Sequence, residues 1–404
     1  MLFNRTTSRL VLGLLLLMAA SPCLAQGPLG MQIFAPADVS TYGGGEEPNE
    51  GYFFQFDGLY WSITPPKVHT VGSTSTSTQE VFYNPLYSRF QSSTLDTSVF
   101  KSEFSPGNRI EFGRMEDRNG WMVGIYQLRD QTQDYLAPSA DIVFNDEPNI
   151  LYPPDPQTRG LLYGNVENDP DNPPAFRPLP TNFTNVYLEN AIDTWGVEAN
   201  YIHRFLTGHH GGTFELFLGA RYFEFNDNFN VSTGTSSEGL LAPSFLGGSY
   251  WNTEAQNHVV GPQVGLRWFK KQGRWMFNAE GRFLAGINYQ NIQQQVSIGP
   301  NLNPGQTADG TYTPFQPLLL APTSATHVEY AREFTPTVEL RVEGRYQITR
   351  AISFHAGWTG TWMDGIARAS SVVVYDVPAM GIDPTDNREN VFMNGVTIGF
   401  DVNR

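Results

Sequence analysis

The sequence predicts an all-β fold: a single antiparallel barrel of ten strands, or twelve if the stretch 64–106 holds a further hairpin. Three observations predict it. Segments in which apolar and polar residues alternate recur from residue 51 to the end. The connections between them alternate between short and long. The composition suits strands and turns, with 13 % aromatics, 39 Gly and 28 Pro.

Ahead of the first strand, Arg5 and Arg9 precede the apolar run LVLGLLLLMAA, and CLAQ offers a small-residue cleavage site after Ala25. This is the pattern of an export signal over 1–25. The run is too short to cross a bilayer as a helix. Pro22 directly before Cys23, with Ala25 well placed for cleavage, argues against a lipidated cysteine. Cleavage there removes the chain's only cysteine, so something other than disulfides must stabilise the exported protein. Residues 26–50, which include STYGGGEEPNE, read as a flexible lead-in.

The first strand, 51–63, is GYFFQFDGLYWSI. The second, 107–116, sets Arg109 and Glu111 on one face, and the turn EDRNG leads to the third, 119–130. The fourth, 186–206, has the apolar row Trp195, Val197, Ala199, Tyr201, His203 and Phe205, with Glu198 and Arg204 opposite. After LTGHHGG comes the fifth, 213–229, with Glu215, Gly219 and Arg221 on its polar row. The sixth, 257–270, carries Gln263, Gly265 and Arg267, and ends near Trp268. KKQG joins it to the seventh, 273–292. That strand sets Trp275, Phe277, Ala279, Gly281, Phe283, Ala285, Ile287 and Tyr289 against Glu280, Arg282 and Gly286. In the eighth, 330–347, Val338, Leu340, Val342 and Tyr346 alternate with Glu339, Arg341, Glu343 and Arg345. QITR leads to the ninth, 350–367, with His355 and Gly357 on its polar row and Trp358 and Trp362 on the other. The tenth, 390–402, runs Phe392 through Phe400.

The long connections are 64–106, 131–185, 230–256, 293–329 and 368–389. Four tight turns therefore stand at one end and five long loops at the other, with both termini at the short-turn end. Outer-membrane barrels have this asymmetry: short periplasmic turns, long external loops, an even strand number. The tight turns near 118, 209, 272 and 349 keep no fixed period, which sets propellers and solenoids aside. After the signal no apolar run is long enough for a membrane helix.

Alternation alone does not say which face meets water. A soluble sandwich buries its apolar face; a membrane barrel turns it to lipid. The rows decide for the barrel. Aromatics stand near both ends of the fourth and seventh apolar rows, with smaller residues between. Ten residues rising about 3.3 Å each, tilted by about 40°, climb roughly 25 Å, the height of a lipid-facing band. The opposite rows mix acids, bases and glycines, and arginine far outnumbers lysine, which occurs only at 67, 101, 270 and 271. Fixed, forked ion pairs inside a lumen account for that preference. The expected lumen-lining residues are Arg109, Glu111, Glu198, Arg204, Glu215, Arg221, Arg267, Glu280, Arg282, Glu339, Arg341, Glu343 and Arg345.

The export signal, GYFFQFDGLYWSI, WGVEANYIHRF, NHVVGPQVGLRWF and NGVTIGF together resemble the putative beta-barrel porin-7 family, over about Gly51 to Phe400. The resemblance implies an outer-membrane barrel with a pore function, and carries over no catalytic residues. One departure stands out: Phe400 is followed by Asp401, Val402, Asn403 and Arg404, where many outer-membrane barrels end on an aromatic residue.

Net charge is −15, and 23 basic against 40 acidic residues remain after Ala25, a net of −17. No basic patch is available for nucleic acid. HExxH, P-loop and G-x-S-x-G motifs are absent from the sequence, and without a cysteine after the signal there is no Cys-based zinc site or thiolate catalyst. His209 and His210 read as turn residues, His203 as interfacial, and His355 as a lumen histidine paired with Ser353 or a glutamate. The loop acids Asp141, Asp146, Glu147, Asp155, Glu167, Asp169 and Asp171 lack EF-hand spacing and read as solvated. The expectation is therefore no enzyme, cofactor or metal. The expected partners are outer-membrane lipid, barrel-assembly machinery and small solutes or ions, with oligomeric state left open. The lumen of a ten- or twelve-stranded barrel filled with Arg and Glu is a narrow passage or a plug. The competing reading is a secreted or periplasmic soluble β-sandwich that binds a ligand or polysaccharide.

Overall fold

Ten strands hydrogen-bond to one another in sequence order, and the last closes on the first. They are β1 (Gly51–Ile63), β2 (Phe104–Glu116), β3 (Asn119–Ala137), β4 (Val186–Arg204), β5 (Gly212–Thr233), β6 (Tyr250–Gln272), β7 (Trp275–Ile298), β8 (Thr323–Gln347), β9 (Ile352–Ile366) and β10 (Glu389–Asn403). Every neighbouring pair is antiparallel. The computed structural model describes residues 51–72, 93–138, 140–146, 177–183, 185–209, 211–234, 236–238, 247–300, 323–375 and 380–403. The expected export signal and lead-in, 1–50, lie outside these.

The alternation sorts the side chains as a membrane barrel requires. Val338, Leu340 and Val342 point outward, Val338 half-buried and the other two exposed, while Glu339, Arg341 and Glu343 point inward and are buried. An opposite orientation, with the apolar row packed in a protein interior, would have identified the soluble sandwich. The outward rows end in aromatic rings at two levels. At the short-turn end stand Tyr52, Trp121, Tyr201, Phe214, Trp275 and Phe354; at the other stand Tyr60, Phe104, Tyr289, Phe334, Trp362 and Phe392. Tyr60 stacks on Phe104 at 4.9 Å, and Phe112 meets Trp121 edge-on at 5.5 Å.

The barrel closes with ten strands. The twelve-strand alternative fails on one half: Thr97–Val99, in the stretch expected to pair, is a single 3₁₀ turn. The other half, near 79–87, lies outside the described residues. Several strands run further than the alternation predicted. β3, β5, β6, β7 and β8 extend to Ala137, Thr233, Tyr250, Ile298 and Thr323. Above the upper ring their outward residues become polar (Asn226, Asn228, Asn230, Asn291, Gln293), while the inward row keeps buried apolar residues (Phe229, Val231, Ile292, Val296) among a few buried polar ones such as Asp227 and Gln290. This is the pattern of a sheet wet on one side, which composition alone marks as loop. The wall is consequently uneven. From Thr323 to Pro336, β8 pairs only with β7, because β9 joins it first at Thr337↔Met363.

The mouth framed by the tall strands is filled. The segment after β9 folds inward, burying Ala367, Ala369, Val372, Tyr375 and Met380, and the β1–β2 connection adds Val71, Leu95 and Phe100. Below this plug lies an inward apolar layer that includes Leu59, Trp61, Leu128, Phe223, Phe225, Leu284 and Met393. Near the short turns, Phe53, Met115, Met122, Ile202 and Phe217 form a lower apolar floor.

Candidate functional site

Between the apolar layer and the floor lies a layer of charge. Register builds it. Neighbouring strands set Arg204 opposite Glu215, Glu215 opposite Arg267, Arg267 opposite Glu280, Glu280 opposite Arg341, and Arg282 opposite Glu339. Acid meets base at each step, within pairing distance. Arg204 Nε donates to Glu215 Oε1 at 2.9 Å, and Arg267 Nε to Glu280 Oε2 at 2.5 Å. Arg282 also engages Glu280, and Arg341 engages Glu339, along their own strands.

Other bonds cross the lumen. Arg221 Nη1 on β5 donates to Glu339 Oε2 on β8 at 2.6 Å. Arg341 Nη1 on β8 donates to Glu111 Oε1 on β2 at 2.6 Å. Arg282 on β7 reaches Glu198 on β4. Guanidinium planes also lie over aromatic rings: Arg267 sits 4.7 Å from the Phe217 centroid, and Arg221 sits 5.1 Å from that of Tyr126. All thirteen residues expected in the lumen are inward and buried, none more than 8 % exposed.

Sequence reasoning missed three members: Asp57, His355 as a bridge, and Asp401. His355 is fully buried, with Nε2 at 2.7 Å from Asp57 Oδ1 and Nδ1 at 2.9 Å from Asp401 Oδ2. The expected partners, Ser353 or a glutamate, are thus replaced by two aspartates. Arg109 Nε holds Asp57 at 2.6 Å, and Arg345 Nη2 holds Asp401 at 3.0 Å. This group spans β9, β1, β10, β2 and β8, and so ties the seam where the first strand meets the last. Gly399 makes room for it: a Cβ there would stand 2.5 Å from Asp57 Oδ1 and 2.7 Å from His355 Cε1. Strict period-2 counting from Gln55 would have flagged Asp57, which hides inside an aromatic run.

A cavity of about 10 Å³ lies inside the layer, lined by Gln55, Glu111, Arg267, Asn278, Glu280, Arg341 and Glu343. That is room for about one water molecule. Among the described residues, no group of His, Cys, Asp and Glu side chains is arranged to hold a metal ion. Of the loop acids, Asp141 and Asp146 fall on a short strand, Ala140–Asp146; Glu147, Asp155, Glu167, Asp169 and Asp171 lie outside the described residues.

The plug is latched to the wall by polar groups. Arg368 Nε donates to Asp227 Oδ2 at 2.5 Å, and Asn190 Nδ2 donates to Asp227 Oδ1 at 2.5 Å. Asn257 bonds both backbone groups of Ala367, at 2.8 and 2.9 Å. Gln290 Nε2 donates to Gly365 O at 3.2 Å and to Asn387 O at 3.1 Å. The chain enters this bend at Gly365, whose φ of +76° favours glycine. At the rim, burial pushes the Glu389 carboxyl up. The nearby His69 ring, with Nε2 3.4 Å from Oε1, the Lys67 N–H, which donates to Oε2 at 3.0 Å, and the Arg368 charge outweigh burial and hold the carboxyl below the usual range.

A closed antiparallel sheet, apolar outside, ionic inside and ringed by aromatics at two levels, defines an outer-membrane β-barrel protein. The family model Putative beta barrel porin-7 (BBP7) matches residues 89–400, and the chain belongs to that family. No curated protein matches the sequence. Among solved structures, the outer membrane protease OmpT of Escherichia coli aligns with 8 % identity over 88 % of this chain and 97 % of its own, at a TM-score of 0.39. The toluene transporter TodX of P. putida aligns with 8 % identity over 89 % and 91 %, at 0.16. The toluene transporter TbuX of Ralstonia pickettii aligns with 8 % identity over 88 % and 90 %, also at 0.16.

Proposed function

We propose that the protein is a structural outer-membrane barrel whose lumen is closed at rest. One observation carries this reading: the charged layer balances its own charge. Seven arginines (109, 204, 221, 267, 282, 341 and 345) are buried with eight acids (57, 111, 198, 215, 280, 339, 343 and 401). His355, when protonated, supplies the eighth cation. Charges committed to one another across the lumen are poor steps for a passing ion, and apolar layers flank them on both sides. On this reading the chain is exported by its N-terminal signal, folded by barrel-assembly machinery and seated in outer-membrane lipid, and it catalyses no reaction.

A second reading, a narrow passive pathway for small solutes or ions, is favoured by the mixed charge of the inward wall, which suits water once side chains move apart. Planar-bilayer recording separates the two. The closed barrel gives no steady current. Steady single-channel steps that change size when Arg341 and Arg345 are made neutral would establish the pathway instead.

A further inference from the structure

The two ends of the barrel differ in charge. In an acidic chain, the short turns and the residues beside them carry six bases (Arg114, Arg118, Lys270, Lys271, Arg274 and Arg350) against two acids, Glu116 and Asp117, with Glu46, Glu47 and Glu50 preceding β1 in the sequence. Glu116 and Asp117 both lie in the β2–β3 turn. The β6–β7 turn (KKQGR) and the β8–β9 turn (QITRA) contain none, and they are neighbours: the Gln347 N–H donates to Arg274 O at 2.8 Å. At the opposite end, above the upper ring, the outer faces of β3 to β6 carry Asp130, Asp134, Glu189, Asp193, Glu224 and Glu254.

The height of these bases matters as much as their number. Lys270 lies on the outward row of β6, two residues past Trp268 and opposite Phe277 in register. Arg114 stands between Tyr52 and Trp121 in register, its guanidinium 5.2 Å from the Tyr52 ring centroid. Lys270 and Arg114 are therefore interleaved with the lower aromatic ring, the level at which lipid headgroups lie, and the turn bases lie just beyond it. Short turns face the periplasm in outer-membrane barrels, so the adjoining leaflet is the inner one.

We propose that Lys270, Lys271, Arg274 and Arg350 form a binding surface for the phosphate headgroups of anionic phospholipids in the inner leaflet. A basic cluster beside a bilayer attracts anionic lipid by about five-fold per side chain, and the attraction fades within a Debye length. The surface anchors the barrel at a fixed depth, whether its lumen is open or closed.

The test uses the full-length exported protein in detergent micelles, with the heat-induced gel shift of the barrel as readout. Adding phosphatidylglycerol raises the unfolding midpoint more than adding phosphatidylcholine, and high salt removes the difference. The variant K270Q/K271Q/R274Q/R350Q keeps its midpoint in phosphatidylcholine and loses the phosphatidylglycerol increment. A variant of the other end, R332Q/R388Q, retains it. A wild type indifferent to lipid charge would overturn the proposal, as would a quadruple variant that keeps the whole increment. So would an equal increment from inorganic phosphate alone. Salt-sensitive sedimentation with peptidoglycan sacculi, lost in the quadruple variant without any lipid effect, would assign the surface to a wall polymer and also overturn it.

Discussion

The lower and upper halves of the lumen are closed by different means. In the lower half the wall closes itself: side chains from β1, β2 and β4 to β10 meet across the axis, and ion pairs hold them. In the upper half the wall is taller but cannot fill its own mouth, and two connecting segments fold in to do so. Barrels of this strand number only just fill their interior with side chains. Inserting long arginines and glutamates closes the narrow part, and backbone is needed where the mouth is framed by extended strands. The lower closure is thus a property of neighbouring strands, and the upper one a property of distant chain.

The largest expected effect breaks the lower closure. Arg341 engages Glu111 and Glu339, so Arg341→Leu leaves two buried carboxylates short of a cation. Removing one partner of a buried ion pair costs about 3–5 kcal/mol. The heat-induced gel shift should move to markedly lower temperature, and Arg341→Met with Glu111→Met should recover part of the loss. A single variant as stable as the parent would mean the layer is hydrated rather than paired.

Breaking the upper closure should cost less and act locally. Arg368→Met removes the latch cation, but Asp227 keeps its bonds from Asn190 Nδ2 at 2.5 Å and the Ala369 N–H at 3.2 Å. A loss of about 2–3 kcal/mol is expected. It should appear as new protease cleavage between 367 and 388 while the barrel still shows its gel shift. Cleavage unchanged in the variant would mean that apolar packing alone holds the plug.

This difference explains what the sequence made legible. The ten strands and both faces follow from alternation, a local signal, and all thirteen expected lumen residues are inward. Their partners were only half legible. Arg267 with Glu280 follows from strand adjacency, but Arg221 with Glu339 and Arg341 with Glu111 join strands that are not neighbours. Such pairs depend on the stagger of the closed sheet, which no single segment encodes. The plug was not legible at all. Arg368 meets Asp227 across 141 positions, and Asn257 meets Ala367 across 110; ARASSVVVYD contains the apolar run VVVY, but nothing in it points to the wall residues it meets. Asp401, in the ending that departs from the usual aromatic terminus, turned out to be a member of the charged layer.

A smaller effect sharpens the seam. Gly399→Ala places a Cβ 2.3 Å from Phe56 O and 2.5 Å from Asp57 Oδ1. β1 and β10 must then separate slightly, and overpacking of this kind costs about 1–3 kcal/mol. Gly58→Ala on β1 is the control, because its Cβ would meet only Ile398 O, at 3.6 Å. Equal losses in the two variants would show that the cost is generic to glycine in these strands rather than specific to the Asp57–His355–Asp401 group.

The smallest effect lies on the outer face of the extension, above the upper ring, and it is a gain. Burial pushes the Asp193 carboxyl up to about 6, helped by the charges of Asp130, Glu224 and Glu254, and Asn226 offsets only part of this. The ordinary value is 3.8. The folded protein therefore holds this proton more tightly than the unfolded chain does, and stability falls as pH rises from about 4 through about 6. Asp193→Asn removes the penalty. Because the group is partly open to solvent, the gain is about 1 kcal/mol at neutral pH, and it should vanish below about pH 4. Unfolding midpoints of parent and variant across that range check it. Curves that stay parallel from acid to neutral pH would mean that the acids of the extension are too well solvated to sense one another, and that the tall wall is electrostatically independent of the closed barrel beneath it.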